Sequence, residues 1–158
     1  LDNHPISCQQ LANYFQLDGK QLQQQYKDHI SHFHQWEQKA HATEWMLFAE
    51  NIGAELSIDE TALSNGELYT ILTNKAAKGR KGALVAMVRG TQAEDIISVL
   101  EKIPEAARAK VRKETMDMAS SMAKAVRSCF TKAYRVIDRF HVQKLAYDAV
   151  QELRIKYR

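Results

Sequence analysis

Cysteine is scarce. The two residues, Cys8 and Cys129, lie on separate amphipathic patterns and in no CxxC pair. That excludes a disulfide-framed scaffold and gives no support to zinc-knuckle or dithiol redox motifs. Reduced, partly buried thiols in a cytosolic protein are the expectation. Glycine (6) and proline (2) are also few. Collagen-like and low-complexity classes are thereby excluded, and long regular elements follow. No apolar run approaches the roughly 18 residues of a membrane span, so no membrane partner is expected. A basic-then-apolar start with a small-residue cleavage site is likewise missing. What remains, 45% hydrophobic and 26% charged in 158 residues, is ordinary for a soluble globular chain. The length suits one domain with a small appendage and buries a core without staples. The chain opens on Leu1 rather than Met and closes at Arg158 inside a helical pattern, which reads as a piece of something longer.

The net charge of +3 is modest but unevenly spread. Residues 1–53 hold three basic and six acidic side chains, leaving nineteen basic and thirteen acidic ones beyond. The later part is therefore the better candidate for touching a polyanion, with solvated surface as the plain alternative.

Residues 1–53 read as a helical lead-in. Ser7 can cap a helix bearing Cys8, Leu11, Ala12 and Phe15. Leu17-Asp18-Gly19 breaks it, and a second helix follows with Leu22, Tyr26, Ile30, Phe33 and Trp36 on one stripe. Helix, Gly-containing turn, helix is the outline of a helix-turn-helix, and the glutamines and lysines early in the second helix suit a recognition helix. The acidic balance of this part favours a plain helical hairpin or dimerisation arm equally. His4, His29, His32, His34 and His41 cluster here, but no Cys or carboxylate set completes a zinc site.

From residue 54 the period changes. Residues 55–59 alternate as a strand, Asn65-Gly66 signals a turn, and residues 67–73 form the next strand. A basic loop, residues 75–81, leads to a third strand at 83–88. Thr91 and Glu94 fit a capping box for a helix carrying Ile96, Ile97, Leu100 and Ile103. Pro104 starts a short helical turn. Residues 111–116 read as a strand ending at Asp117. Met118, Met122, Ala125, Val126 and Cys129 stripe a helix, residues 134–137 form a strand ending at Asp138, and Phe140, Leu145, Ala149, Val150 and Leu153 mark a last helix. The order β-β-β-α-β-α-β-α predicts an α/β fold with a mixed five-stranded sheet, the connectivity of a ribonuclease H-like core. In that topology the first strand lies mid-sheet beside the fourth, with helices on both faces.

Asp59 is expected at the end of the first strand and Asp117 at the end of the fourth. Neighbouring strands would bring the two carboxylates together. Adjacent carboxylates repel unless a cation lies between them, and hard oxygen donors suit Mg²⁺ or Mn²⁺. Two such ions serve phosphodiester chemistry by activating one oxygen and stabilising another. Against this stands the routine use of Asp to cap the turn after a strand.

Three blocks now carry a resemblance: Ser57-Ile58-Asp59-Glu60-Thr61, Thr115-Met116-Asp117-Met118-Ala119-Ser120-Ser121, and Val136-Ile137-Asp138-Arg139-Phe140-His141-Val142. Together they resemble bacterial insertion-sequence transposases of the DDE class, in the branch with an Asp-Arg-Phe-His-Val block. The resemblance covers residues 54–158 and extends to the helical lead-in. It implies DNA transposition on a ribonuclease H-like core, with strand cleavage and strand transfer at a divalent-metal site of Asp, Asp and Glu. By motif match, Asp59 is the first acid and Asp117 the second, both as metal ligands. The third, a glutamate, is expected beyond Arg158, so this piece alone is expected to be inactive. Asp138, Glu60 and His141 are accessory candidates, Asp138 chiefly as a partner of Arg139 or His141. The resemblance further implies DNA ends and target DNA as partners, a homodimer in the full protein, and a bacterial cytoplasmic, nucleoid-associated location. Thr131 replaces a common proline, and the family's N-terminal cysteine-rich segment has no counterpart here.

Lys75, Lys78, Arg80 and Lys81 belong to a glycine-containing loop that lacks the P-loop pattern; they suit DNA phosphates or plain solvation. Arg108, Lys110, Arg112 and Lys113 pose the same choice. Trp36 and Trp45 are expected in packing. Two readings compete with the transposase: a non-catalytic DNA-binding or assembly module on the same fold, and a ribonuclease H-like nuclease that cuts without joining.

Overall fold

The computed structural model describes residues 6–63 and 66–157; His4 and Asn65 fall outside them. The chain divides into two compact units, one ending at Thr43 and the next starting at Glu44. The division thus comes earlier than residue 54.

In the first unit, helix α1 (Cys8–Phe15) starts as expected at Ser7, whose hydroxyl accepts from the Gln10 N–H while the Gln10 side chain returns to the Ser7 backbone. Helix α2 (Gly19–Gln25) is capped by Asp18 and then departs from expectation. Its last turn widens over Tyr26–Ile30 and stops at Ser31. The Ser31 hydroxyl donates to the Lys27 carbonyl and accepts from the Phe33 N–H. His32 follows with φ 54°, a left-handed break. Phe33 and Trp36 therefore do not continue the stripe of α2. Of the expected histidine cluster, His34 is held in place by side chains: its Nε2 lies 2.7 Å from Asp28 Oδ1, and Lys39 Nζ lies 3.1 Å from its Nδ1.

The second unit is a mixed α/β structure. Six strands, β1 (Trp45–Leu47), β2 (Glu55–Ala62), β3 (Leu68–Asn74), β4 (Leu84–Arg89), β5 (Lys113–Met116) and β6 (Tyr134–Ile137), stand in the order β1-β4-β3-β2-β5-β6. The expectation was five. β1, inside the supposed helical lead-in, pairs antiparallel with β4. Three residues are too few to show an alternation. The β2–β3–β4 meander is antiparallel, and β2 lies parallel beside β5, itself parallel to β6. The first strand of the meander is therefore the neighbour of the fourth expected strand, as the connectivity required.

Helix α3 (Ala93–Leu100) links β4, through the short α4 (Glu105–Arg108), to β5, and α5 (Ser120–Cys129) links β5 to β6. α3 begins at Ala93 behind Gln92, with no side-chain cap, so the capping box expected at Thr91 is not formed. Both crossovers step the same way across the sheet. Two right-handed crossovers in one direction place their helices on one face, and α3 and α5 share a single core there. Leu56 and Ile58 of β2, Leu72 of β3, Ile96 and Leu100 of α3, and Met122 and Val126 of α5 are buried in it, closed by Phe130. Lys124 of α5 pairs with Glu94 of α3 over its rim. The last helix, α6 (Arg139–Lys156), buries no residue. No described helix is long and apolar enough to cross a membrane.

Gly53, just before β2, is a close-approach glycine. A Cβ there would stand 2.6 Å from Oδ1 of Asn74. That amide cannot yield, because Oδ1 accepts from the Ala76 N–H and Nδ2 donates to the Asn51 carbonyl. Gly53→Ala is expected to cost about 1–3 kcal/mol by overpacking, read as a lower urea midpoint at unchanged slope.

Candidate functional site

The site is fixed by strand register. The last parallel pair of β2 and β5 is Ser57 with Thr115. Two residues on from each stand Asp59 and Asp117, level with one another and on the same side of the sheet by the period of two. β5 and β6 end together at Met116 and Ile137, so Asp138 stands level with Asp117 on the next strand. The three aspartates thus fall in one row across β2, β5 and β6.

Their environments differ. Asp117 follows β5 directly, is half-buried, and accepts the Ala119 N–H at 2.8 Å in the turn into α5. Asp59 is exposed and does not end its strand; β2 runs on to Ala62. The antiparallel hairpin with β3 keeps pairing through Ala62 and Leu68 after the parallel partner β5 has stopped, and this places Asp59 mid-strand. Its Oδ1 accepts the Glu60 N–H at 2.8 Å. Asp138 caps α6 by accepting the Phe140 N–H at 2.7 Å. The loop-fixing partner is this backbone group, not Arg139 or His141.

Glu60 reports the crowding of charge. Partial burial, then the negative charges of Asp117 and Asp59, push its carboxyl above the usual carboxylate range. A divalent cation here would find hard oxygen donors on two neighbouring strands, a set that suits Mg²⁺ or Mn²⁺ when substrate oxygens and water complete the shell. Among the described residues, no group of three or more His, Cys, Asp or Glu side chains is placed to hold a metal ion. The fit is that of a two-carboxylate site, not a closed protein cage.

His141, in the first turn of α6, lines a cleft of about 310 Å³ with Asp117, Met118, Lys144 and Asp148. Lys144 was not among the sequence candidates. Its signal was present: it stands three residues after His141, on the same face of a helix. Asp148, left unassigned from sequence, borders the same cleft one turn on.

The basic loop is not brought to this row. β3 and β2 pair Asn74 with Leu56, so residues 75–83 leave the sheet where β2 begins, while the aspartates stand where β5 and β6 end. Lys78, Arg80 and Lys81 are exposed there. Lys75 instead donates from Nζ to Thr115 Oγ1 at 3.1 Å, one strand step below Asp117. The second basic cluster is partly committed to structure. Arg108 donates to the Ile103 and Cys129 carbonyls, and Lys113 pairs with Glu55 at 3.9 Å. Cys8 and Cys129 are free thiols, and burial raises Cys129 to about 11.

A search of curated proteins finds no match to the chain. A protein-family model described as a transposase matches residues 56–158, well over half of the chain and the stretch from the second residue of β2 through α6. The chain belongs to the DDE transposase family.

Proposed function

We propose that residues 54–158 form a ribonuclease H-like catalytic core in which Asp59 and Asp117 hold the divalent metal for DNA strand cleavage and strand transfer. The single observation that carries this reading is the level placement of the two acids on adjacent parallel strands, with Glu60 responding to both. A bound Mg²⁺ or Mn²⁺ would supply Lewis-acid stabilisation of a phosphoryl oxygen and a more acidic bound water. The chain's own part is to bind and orient. Oδ1 of each aspartate is anchored by a backbone N–H, which fixes the carboxylate plane and leaves the second oxygen for the metal. Lys144 and His141 stand beside Asp117 to receive a DNA phosphate. Lys78, Arg80 and Lys81 hold duplex at a distance from the chemistry, where they add salt-dependent affinity. The resemblance implies a glutamate as third acid, and no group of three metal-holding side chains forms among the described residues, so residues 54–158 alone are expected to be inactive. Pairing of two DNA ends asks for a homodimer of the full protein in a nucleoid-associated bacterial setting.

Mn²⁺ titration followed by paramagnetic NMR broadening tests the metal site. Broadening is expected to centre on residues 57–60 and 115–119, and to disappear in Asp59→Asn. Broadening centred elsewhere overturns the reading. A second reading, a non-catalytic DNA-binding module, draws on the lack of a three-ligand cluster among the described residues. Salt-dependent DNA binding indifferent to both aspartates, with no metal-dependent cleavage by the full protein, would favour it.

A further inference from the structure

Glu114 lies in the middle of β5 and is 0% exposed. Neither carboxyl oxygen has a hydrogen-bond partner. The other two buried polar side chains are satisfied: Thr70 donates to the Gly90 carbonyl, and Thr115 accepts from Lys75. A buried carboxylate without a partner is among the costliest groups a core can hold.

The groups on its face are few. Its register partner on β2 is Leu56, and Glu60, four residues along β2, answers to Asp117 and Asp59 rather than to Glu114. The buried side chains of α3 and α5 on this face are apolar except for Cys129, a thiol held neutral by burial. Arg108 of α4 is spent on two carbonyls, and Lys113, one residue away, points to the opposite face and pairs with Glu55. On β6 the register partner is Arg135, on the same face and exposed. Arg135 and Arg127 of α5 line a cleft of about 510 Å³ whose apolar wall includes Met116, Ala123 and Ile137. Glu114 does not line that cleft, but its register partner Arg135 and Met116, two residues along β5, do. Burial is the cause that lifts the acid to about 8.

We propose that Glu114 is a proton-operated latch on β5: as the neutral acid it lies in the core, and on losing its proton to solvent it turns through the α5–β6 cleft to Arg135. The strand that loosens is the one that leads into Asp117. The latch is independent of any metal at the aspartates.

The sign follows from linkage. The folded acid binds its proton more tightly than the unfolded one, whose ordinary value is 4.5. Stability is therefore fully present below that value and falls as pH rises to about 8, after which it is flat. One proton in this window changes the folding constant about tenfold per pH unit.

Urea unfolding of wild type and Glu114→Gln from pH 5 to 9 tests the burial half. The ratio of folding constants, wild type over variant, is expected to fall about tenfold per unit and level off near pH 8. Parallel curves overturn the proposal. Should the variant fail to fold, ¹³C NMR titration of the Glu114 carboxyl in wild type decides: an ordinary midpoint overturns it, a raised one supports it. Arg135→Gln tests the destination. A further rise of the Glu114 midpoint supports the turn to Arg135, and an unmoved midpoint overturns it.

Discussion

Asp59→Asn and Asp117→Asn, each made in the full natural protein, are expected to lower DNA strand cleavage and joining by about a thousandfold or more. Removing one metal ligand forfeits several kcal/mol of transition-state charge stabilisation, and each 1.36 kcal/mol is a factor of about ten. The fold should not notice. In both residues the structural hydrogen bond uses a single side-chain oxygen as acceptor of a backbone N–H, and asparagine keeps that oxygen. Unfolding midpoints within about 0.5 kcal/mol of wild type are therefore expected. A readout independent of activity comes from Glu60. Its carboxyl is held up partly by Asp117 and, to a smaller degree, by Asp59, so either variant should lower its NMR midpoint, Asp117→Asn the more. Retained cleavage in either variant would remove that residue from the metal site. An unmoved Glu60 would show that the aspartates do not meet around it.

The row of acids was legible because it depends on topology alone. Alternation in residues 55–59, the turn signal before residue 67 and the short strand before Asp138 give an order of elements, and right-handed crossovers then leave few arrangements of the strands. What the sequence hid depends on partners distant in the chain. Nothing in residues 55–62 says that Asp59 sits mid-strand; that follows from β3 pairing on to Leu68 after β5 has ended. Nothing in Trp45–Leu47 separates a three-residue edge strand from the end of a helix until β4 is there to pair with it. Thr91 and Glu94 had the residue types of a capping box, but the helix they were to open starts one residue late, at Ala93. The basic loop was read by charge, and charge carries no information about which end of a sheet it occupies. Glu114 is the sharpest case. It lies within a strand as a charged residue, where a surface position is the default, yet its register beside Leu56 turns it inward.

Helix α6 makes the same point energetically, and it sets the second large effect. Phe130 and Phe140 are ten residues apart; Phe140 belongs to the apolar pattern of the last helix, and Phe130 directly follows that of α5. Phe130 is 2% exposed and closes the core under α5; Phe140 is 68% exposed on α6. Phe130→Ala is expected to cost about 3–5 kcal/mol, the transfer of the ring plus the cavity left behind. In urea this should appear as a large drop in midpoint with the slope retained. Leu153→Ala, on the apolar stripe of α6 and 56% exposed, is expected to stay within about 0.5 kcal/mol of wild type. Amphipathic spacing in a sequence reports that a helix could bury a face, and only the packing decides whether it does. Equal costs for the two substitutions would mean that α6 is packed as tightly as α5.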